Sequence, residues 1–140
     1  MRADFLDAHK RHLDDAERLF KEARWANADH LYGIAAECGL KRLMLAFNMP
    51  YDANKDCPGN NSDRVHANKI WARFEAYRSG HILGTAYVLP ANPSNPFADW
   101  DVAQRYANQD QFDQTRAASH KLGANTVYEL IDRAKKQGLI

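Results

Sequence analysis

The chain has 140 residues, and 19 Lys and Arg stand against 18 Asp and Glu for a formal net charge of +1. That length supplies one domain with a sizeable core and no need of metals or disulfides. The near-balanced charge excludes a global field that would draw in nucleic acid or an anionic membrane, while leaving a local basic patch open. Cys38 and Cys57 form no CxxC and no Cys/His cluster, so neither a disulfide framework nor a zinc site is expected. The opening MRADFLDAHKRH turns polar at once, and no run approaches the ~18–20 apolar residues of a membrane span. The expectation is a single helical domain over 1–140, cytoplasmic, with reduced thiols, no cofactor and no membrane partner.

The first predicted element is an amphipathic helix over residues 3–23. Phe5, Leu13, Ala16, Leu19 and Phe20 form its apolar stripe, and DDAER gives a solvent face. Residues 24–47 then read as one long helix that is apolar on most sides. Leu31, Ile34, Ala35, Cys38, Leu45 and Ala46 keep the spacing of a buried stripe, while Ala28, Ala36, Leu43 and Met44 extend apolar character around the cylinder. A helix of this kind lies at the centre of a bundle, and Gly33, Gly39 and the alanines let neighbouring backbones come close. Pro50 ends it, because proline disfavours helix in the residue before it. A loop rich in Asn, Asp, Pro and Gly follows.

A third helix is predicted over 63–78, with Ile70, Trp71, Phe74 and Tyr77 at helical spacing. The next stretch, 79–99, is ambiguous: HILGTAYVL suits either an extended piece or a short helix, and PANPSNPF is turn-rich. The last helix starts after Asp110 or Asp113, either of which can cap it. It runs to about Lys136, and Gly138 suits its C-cap. The two long connections exceed the usual length in a bundle, and long loops in compact domains tend to be functional.

Glu37 and Lys41 lie one turn apart inside the apolar second helix, where unpaired charge is poorly tolerated. They read as an intrahelical ion pair with the favourable order, with Lys41 able to reach the surface. A functional alternative has Glu37 orienting an arginine such as Arg105. His9, His12, His66 and His81 have no partners at metal spacing. Trp25, Trp71, Phe74, Tyr77 and Trp100 read as packing groups. There is no Gly-rich phosphate loop, no Gly-x-Ser-x-Gly, no His-Glu-x-x-His and no EF-hand pattern.

Four segments in this order resemble the HEPN superfamily of small helical-bundle proteins. They are the N-terminal amphipathic helix, NADHLYGIAAECGLKRLM, HANKIWARFEAY, and FADWDVAQRYANQ followed by a long terminal helix. The AAECGLK core and the segment from Trp100 to Tyr106 carry most of the likeness. The resemblance implies an all-α antiparallel bundle of four to five helices, commonly a homodimer, whose shared surface is built by the last helix and the loop before it. It also implies partners drawn from toxin–antitoxin pairs or phage-defence systems, such as an antitoxin or a defence-system domain, and links to RNA.

Active members of that family carry Arg, four to six residues, then His, near the start of the last helix, and cleave RNA without a metal. The general acid–base group is the His, and the Arg supplies charge to the phosphate. The matching region here is Arg116-Ala-Ala-Ser-His120, with three residues between, one fewer than the pattern. Arg116 and His120 therefore share one helix face and head the stripe Ala124, Val127, Ile131, Ala134, with Arg105 as a supporting candidate. The same pair also reads as surface or capping decoration. Arg24 and His30, with five residues between, fit the spacing better but straddle the turn into the second helix and read as a helix junction. Two expectations result. The first is a dimeric non-catalytic interaction module of a toxin–antitoxin or phage-defence system. The alternative is a metal-independent endoribonuclease or RNA-binding toxin using Arg116 and His120.

Overall fold

The structure is a computed structural model that describes residues 2–91 and 94–140. Four helices carry the fold: α1 (Phe5–Lys21), α2 (Trp25–Ala46), α3 (Ala67–Ser79) and α4 (Gln114–Lys136). The class is all-α. Among the described residues the one sheet is a two-residue antiparallel pairing of β1 (Tyr51–Asp52) with β2 (Cys57–Pro58) inside the loop after α2. Asp4 caps α1 by accepting from the amides of Leu6 and Asp7, and Asp113 caps α4 by accepting from Arg116.

Three of the helices end the same way. After α1, α2 and α4 the chain enters the left-handed region at Ala23 (φ 58°), Asn48 (φ 68°) and Gly138 (φ 71°). The next amide reaches back to the last turn: Arg24 to Leu19, Met49 to Met44 and Leu139 to Ala134. This satisfies carbonyls that a helix end leaves free. Glycine suits that conformation at 138, as expected from the sequence, whereas Ala23 adopts it at a cost of about 1–2 kcal/mol.

The tight turn after α1 makes α1 and α2 an antiparallel hairpin. Tyr32 donates to Glu17 (2.9 Å), and about one turn further along α2 the ring of His9, two turns earlier in α1, donates to the Ala35 carbonyl (2.8 Å). α1 also runs against α4, with Lys121 on Glu17 and His9 stacked on Tyr128. The expected antiparallel arrangement holds for α1 against α2 and α4 but not for the rest of the bundle: α3 and α4 run in the same sense as α2. His66 meets Glu37 and Phe74 meets Phe47; His120 meets Asp29 and Val127 lies against Gly39. The long connections make this possible: the first returns the chain to the middle of α2, at Glu37, and the second to its start, at Asp29, before the next helix begins.

The core is built around α2. Tyr32, Ala35, Ala36, Leu40, Leu43 and Met44 are buried, against Leu13 and Ala16 of α1, Ile70 and Phe74 of α3, and Val127 and Ile131 of α4. The stripe expected to be most buried is instead the outward side: Leu31, Ile34, Cys38, Leu45 and Ala46 are only half-buried, although Ala35 is fully enclosed. Three neighbouring helices cover the opposite arc, so on an all-round apolar helix the spacing alone does not identify the face they take. α3 begins at Ala67 and not at 63. Asn61–Asp63 forms a separate helical turn, and Asp63 is fully buried as acceptor for Tyr77 (2.6 Å) and Arg73 (2.8 Å). In the ambiguous stretch, Gly84–Tyr87 is a short 3-10 turn that buries Tyr87, with no strand among the described residues; Asn92 and Pro93 lie outside them. None of the described helices is long and apolar enough to cross a membrane.

Candidate functional site

One side of α2 carries Asp29, Gly33, Glu37 and Lys41, each four residues after the last, so they stack as a ridge one turn apart. The segment 97–106 lies across this ridge. Trp100 sits directly on Gly33: a methyl group there would come within 2.2 Å of the indole Nε1. The next residue, Asp101, starts the 3-10 turn Val102–Tyr106 by accepting from the Ala103 amide (2.7 Å), and the Gln104 side-chain Oε1 accepts from the Asp101 amide (3.2 Å). The same Gln104 side chain donates its amide to Asp29 (2.7 Å), which ties the turn to the ridge.

Asp29 is fully buried, and it gathers the residues singled out at the start of α4. The His120 ring lies within hydrogen-bond distance of Asp29 through Nδ1 (2.6 Å) and of Asp99 through Nε2 (3.0 Å). Arg116 grips Asp99 twice, from one guanidinium nitrogen to the carboxylate (2.6 Å) and from another to the backbone carbonyl (2.7 Å). Its Nε lies 3.5 Å from Asp29, a charge contact without a hydrogen bond. Phe97 stacks on the imidazole at 5.0 Å, and only 1% of His120 is exposed. Desolvation works against an ionised Asp99, but His120 and Arg116 outweigh it and hold that carboxyl below its ordinary range.

Arg116 and His120 thus share one helix face and converge, on two carboxylates. Arg105 does not join them. Its guanidinium stacks on Tyr106 (4.7 Å), and it lines a different cavity. The partner at its expected place is Gln104, one residue earlier, because the 3-10 turn rotates Arg105 outward. Asp29, Asp99 and Gln104 are the residues that sequence reasoning missed. Asp29 was detectable as a third charge in an apolar helix, in phase with Glu37. Asp99 carried no such signal, since only the fold of a turn-rich segment brings it to His120.

Further along the ridge, Lys41 donates to Glu37 (2.6 Å) as the intrahelical pair expected, and both stay buried. The other Glu37 oxygen accepts from His66 Nδ1 (3.0 Å). His66 sits at the N-cap position of α3 but makes no side-chain cap bond there. Glu37 therefore orients a histidine and not Arg105. Trp100 lies between two imidazoles, stacked on His30 at 5.4 Å and tilted to His66 at 6.4 Å.

A second constellation lies at the start of α2. A surface cavity of about 400 Å³ is lined by Arg24, Trp25, Asn27, His30, Arg105 and Phe112, among others. It brings together the Arg24/His30 pair and the arginine missing from the first cluster. Burial, and then the charge of Arg105, hold the His30 ring below its ordinary value, so it is neutral at pH 7. Among the described residues, no group of three or more His, Cys, Asp or Glu is arranged to hold a metal ion. No protein-family model, no curated protein and no solved structure matches the chain.

Proposed function

We propose that this chain is a HEPN-like interaction module, acting as a homodimer that binds a protein partner of the toxin–antitoxin or phage-defence kind. In this reading Arg116 and His120 hold the fold together and do not cleave RNA. The observation that carries it is the state of His120: both ring nitrogens are spent on carboxylates, and the ring is 1% exposed. A general base needs a nitrogen free to meet the proton it takes, within hydrogen-bond reach of substrate. Arg116 is equally committed, since its fork is closed on Asp99 and cannot also grip a phosphate.

A surface for a second copy is supported on the last helix and the residues before it. Leu122 is 70% exposed and borders an apolar groove formed with Trp71, Pro90 and Pro96. Light scattering of the full chain at micromolar concentration is expected to give a dimer, and Leu122→Asp a monomer with unchanged helical signal. A monomeric wild type would remove the homodimer. The ribonuclease reading retains one favourable observation: the Asp99 side chain is 61% exposed and could swing off His120, leaving an imidazole oriented by buried Asp29. Asp99→Ala tests that alternative directly. RNA cleavage that appears or rises in this variant supports the enzyme, and continued inactivity supports the module.

A further inference from the structure

The cavity at the start of α2 belongs to neither the Asp29 cluster nor the proposed dimer surface, and its lining has the chemistry of a binding site. Arg24 and Arg105 contribute two guanidinium groups. Among the described residues neither makes an ion pair or donates a side-chain hydrogen bond, whereas Arg116, Arg73 and Arg78 are all closed on carboxylates. An arginine fork without a carboxylate is suited to an incoming one, or to a phosphate.

The backbone adds to the same point. α2 starts at Trp25 with Arg24 as its N-cap, and no side chain caps it. Trp25, Ala26 and Asn27 line the cavity, and their amides have no acceptor in the described structure. Free first-turn amides and the positive end of the helix dipole favour an anion. One turn further in, the His30 ring reaches the cavity with Nδ1 buried and unpartnered. Asp110 is the only acid on the lining; the Asp29 carboxylate is turned away, onto His120 and Gln104. Trp25 and Phe112 supply apolar wall, and about 400 Å³ exceeds what a bare phosphate fills, so there is room for an organic portion.

We propose that this cavity binds a small organic oxyanion, its phosphate or carboxylate held by Arg24, Arg105 and the first-turn amides of α2. The His30 ring forms part of the wall beside that group. The site goes beyond the module reading above and does not depend on it.

Calorimetric titration of the full chain with inorganic phosphate and, separately, with citrate tests the proposal, the two arms separating phosphate from carboxylate recognition. Saturable binding of at least one probe is expected, with amide shift changes centred on Trp25, Ala26 and Asn27. Arg24→Ala with Arg105→Ala should weaken it about tenfold or more, since a charge-assisted contact is worth about tenfold even at the lower end of its range. The two lysine replacements should lose less, because they keep charge without the fork. Binding of neither probe, undiminished binding by the double alanine variant, or shift changes centred elsewhere would overturn the site. So would a response only to a single-stranded RNA oligomer in a parallel titration. The amide shifts need no variant, so the test holds even if the double variant misfolds.

Discussion

Two regions of this molecule pair an arginine with a histidine, and they differ in what surrounds the pair. At the start of α4, Arg116 and His120 meet two carboxylates, and every nitrogen of the imidazole is used. At the start of α2, Arg24, His30 and Arg105 meet no carboxylate partner among the described residues and face a cavity. In α4 the i, i+4 spacing puts the Arg and the His on one face, whereas Arg24 and His30 are six residues apart and meet only across the cavity. The neighbouring acids decide whether the pair is consumed by the fold or left for a ligand. Buried polar groups are mostly satisfied internally, so a pair already engaged by two carboxylates is a poor place to look for binding, and a pair with no carboxylate partner is a better place.

The largest effect that sharpens this contrast is expected from Asp29→Ala. It leaves His120 and the Arg116 side chain without their buried acceptor, and removing one partner of such a network costs about 3–5 kcal/mol. Urea unfolding followed by circular dichroism measures it; a loss below ~1 kcal/mol would show that the cluster is not structural. Gly33→Ala comes next. The added methyl would lie 2.2 Å from Trp100, so the indole must leave the ridge and carry segment 97–106 with it. Overpacking of this kind costs about 1–3 kcal/mol, read as a lower unfolding midpoint together with a red shift of tryptophan emission.

Ala23→Gly works in the opposite direction. It relieves a left-handed alanine and should add up to about 1 kcal/mol of stability by the same unfolding assay. At the cavity, replacing Arg24 and Arg105 by Ala should change the unfolding free energy by no more than about 0.5 kcal/mol, because neither holds a carboxylate partner. A large loss there would erase the distinction between the two regions.

Acid should act on the histidines before the carboxylates. His9 is buried, with Nδ1 donating to Ala35 and Nε2 unpartnered, and desolvation holds its pKa below 6.5. As pH falls through 6.5 the unfolded chain takes up the proton first, so stability is lost from there downward. His9→Asn should flatten that slope in melts between pH 7 and 5. Asp63 and Asp99 are held below 3.8 against the desolvation each meets, by Tyr77 and Arg73 in one case and by His120 and Arg116 in the other. Their contributions persist above 3.8 and disappear only in stronger acid.

Much of the architecture was legible in the chain. All four helices follow from periodicity and caps, and Asp113, Gly138 and the Glu37–Lys41 pair stand where local rules put them. The lost information is non-local. On an α2 apolar all round, no local rule says that Leu31, Ile34 and Cys38 face outward. Asp63 looked like the start of α3, because a buried acceptor for Tyr77 and Arg73 cannot be told from a helix cap by its neighbours in sequence. Half of the Asp29 cluster was visible as Arg116 and His120. The other half needed the path of 97–106, which places Gln104 and Asp99 inward and Arg105 outward.

The central claim is that the Arg116–His120 pair belongs to the fold and not to a reaction. Thermal unfolding of His120→Ala beside wild type, with RNA cleavage assayed on the same two preparations, tests it most directly. The account predicts a clear drop in melting temperature, of the order of a lost buried network or about 2–4 kcal/mol, and no cleavage by either protein. A variant that melts with wild type while a wild-type cleavage activity disappears would contradict it.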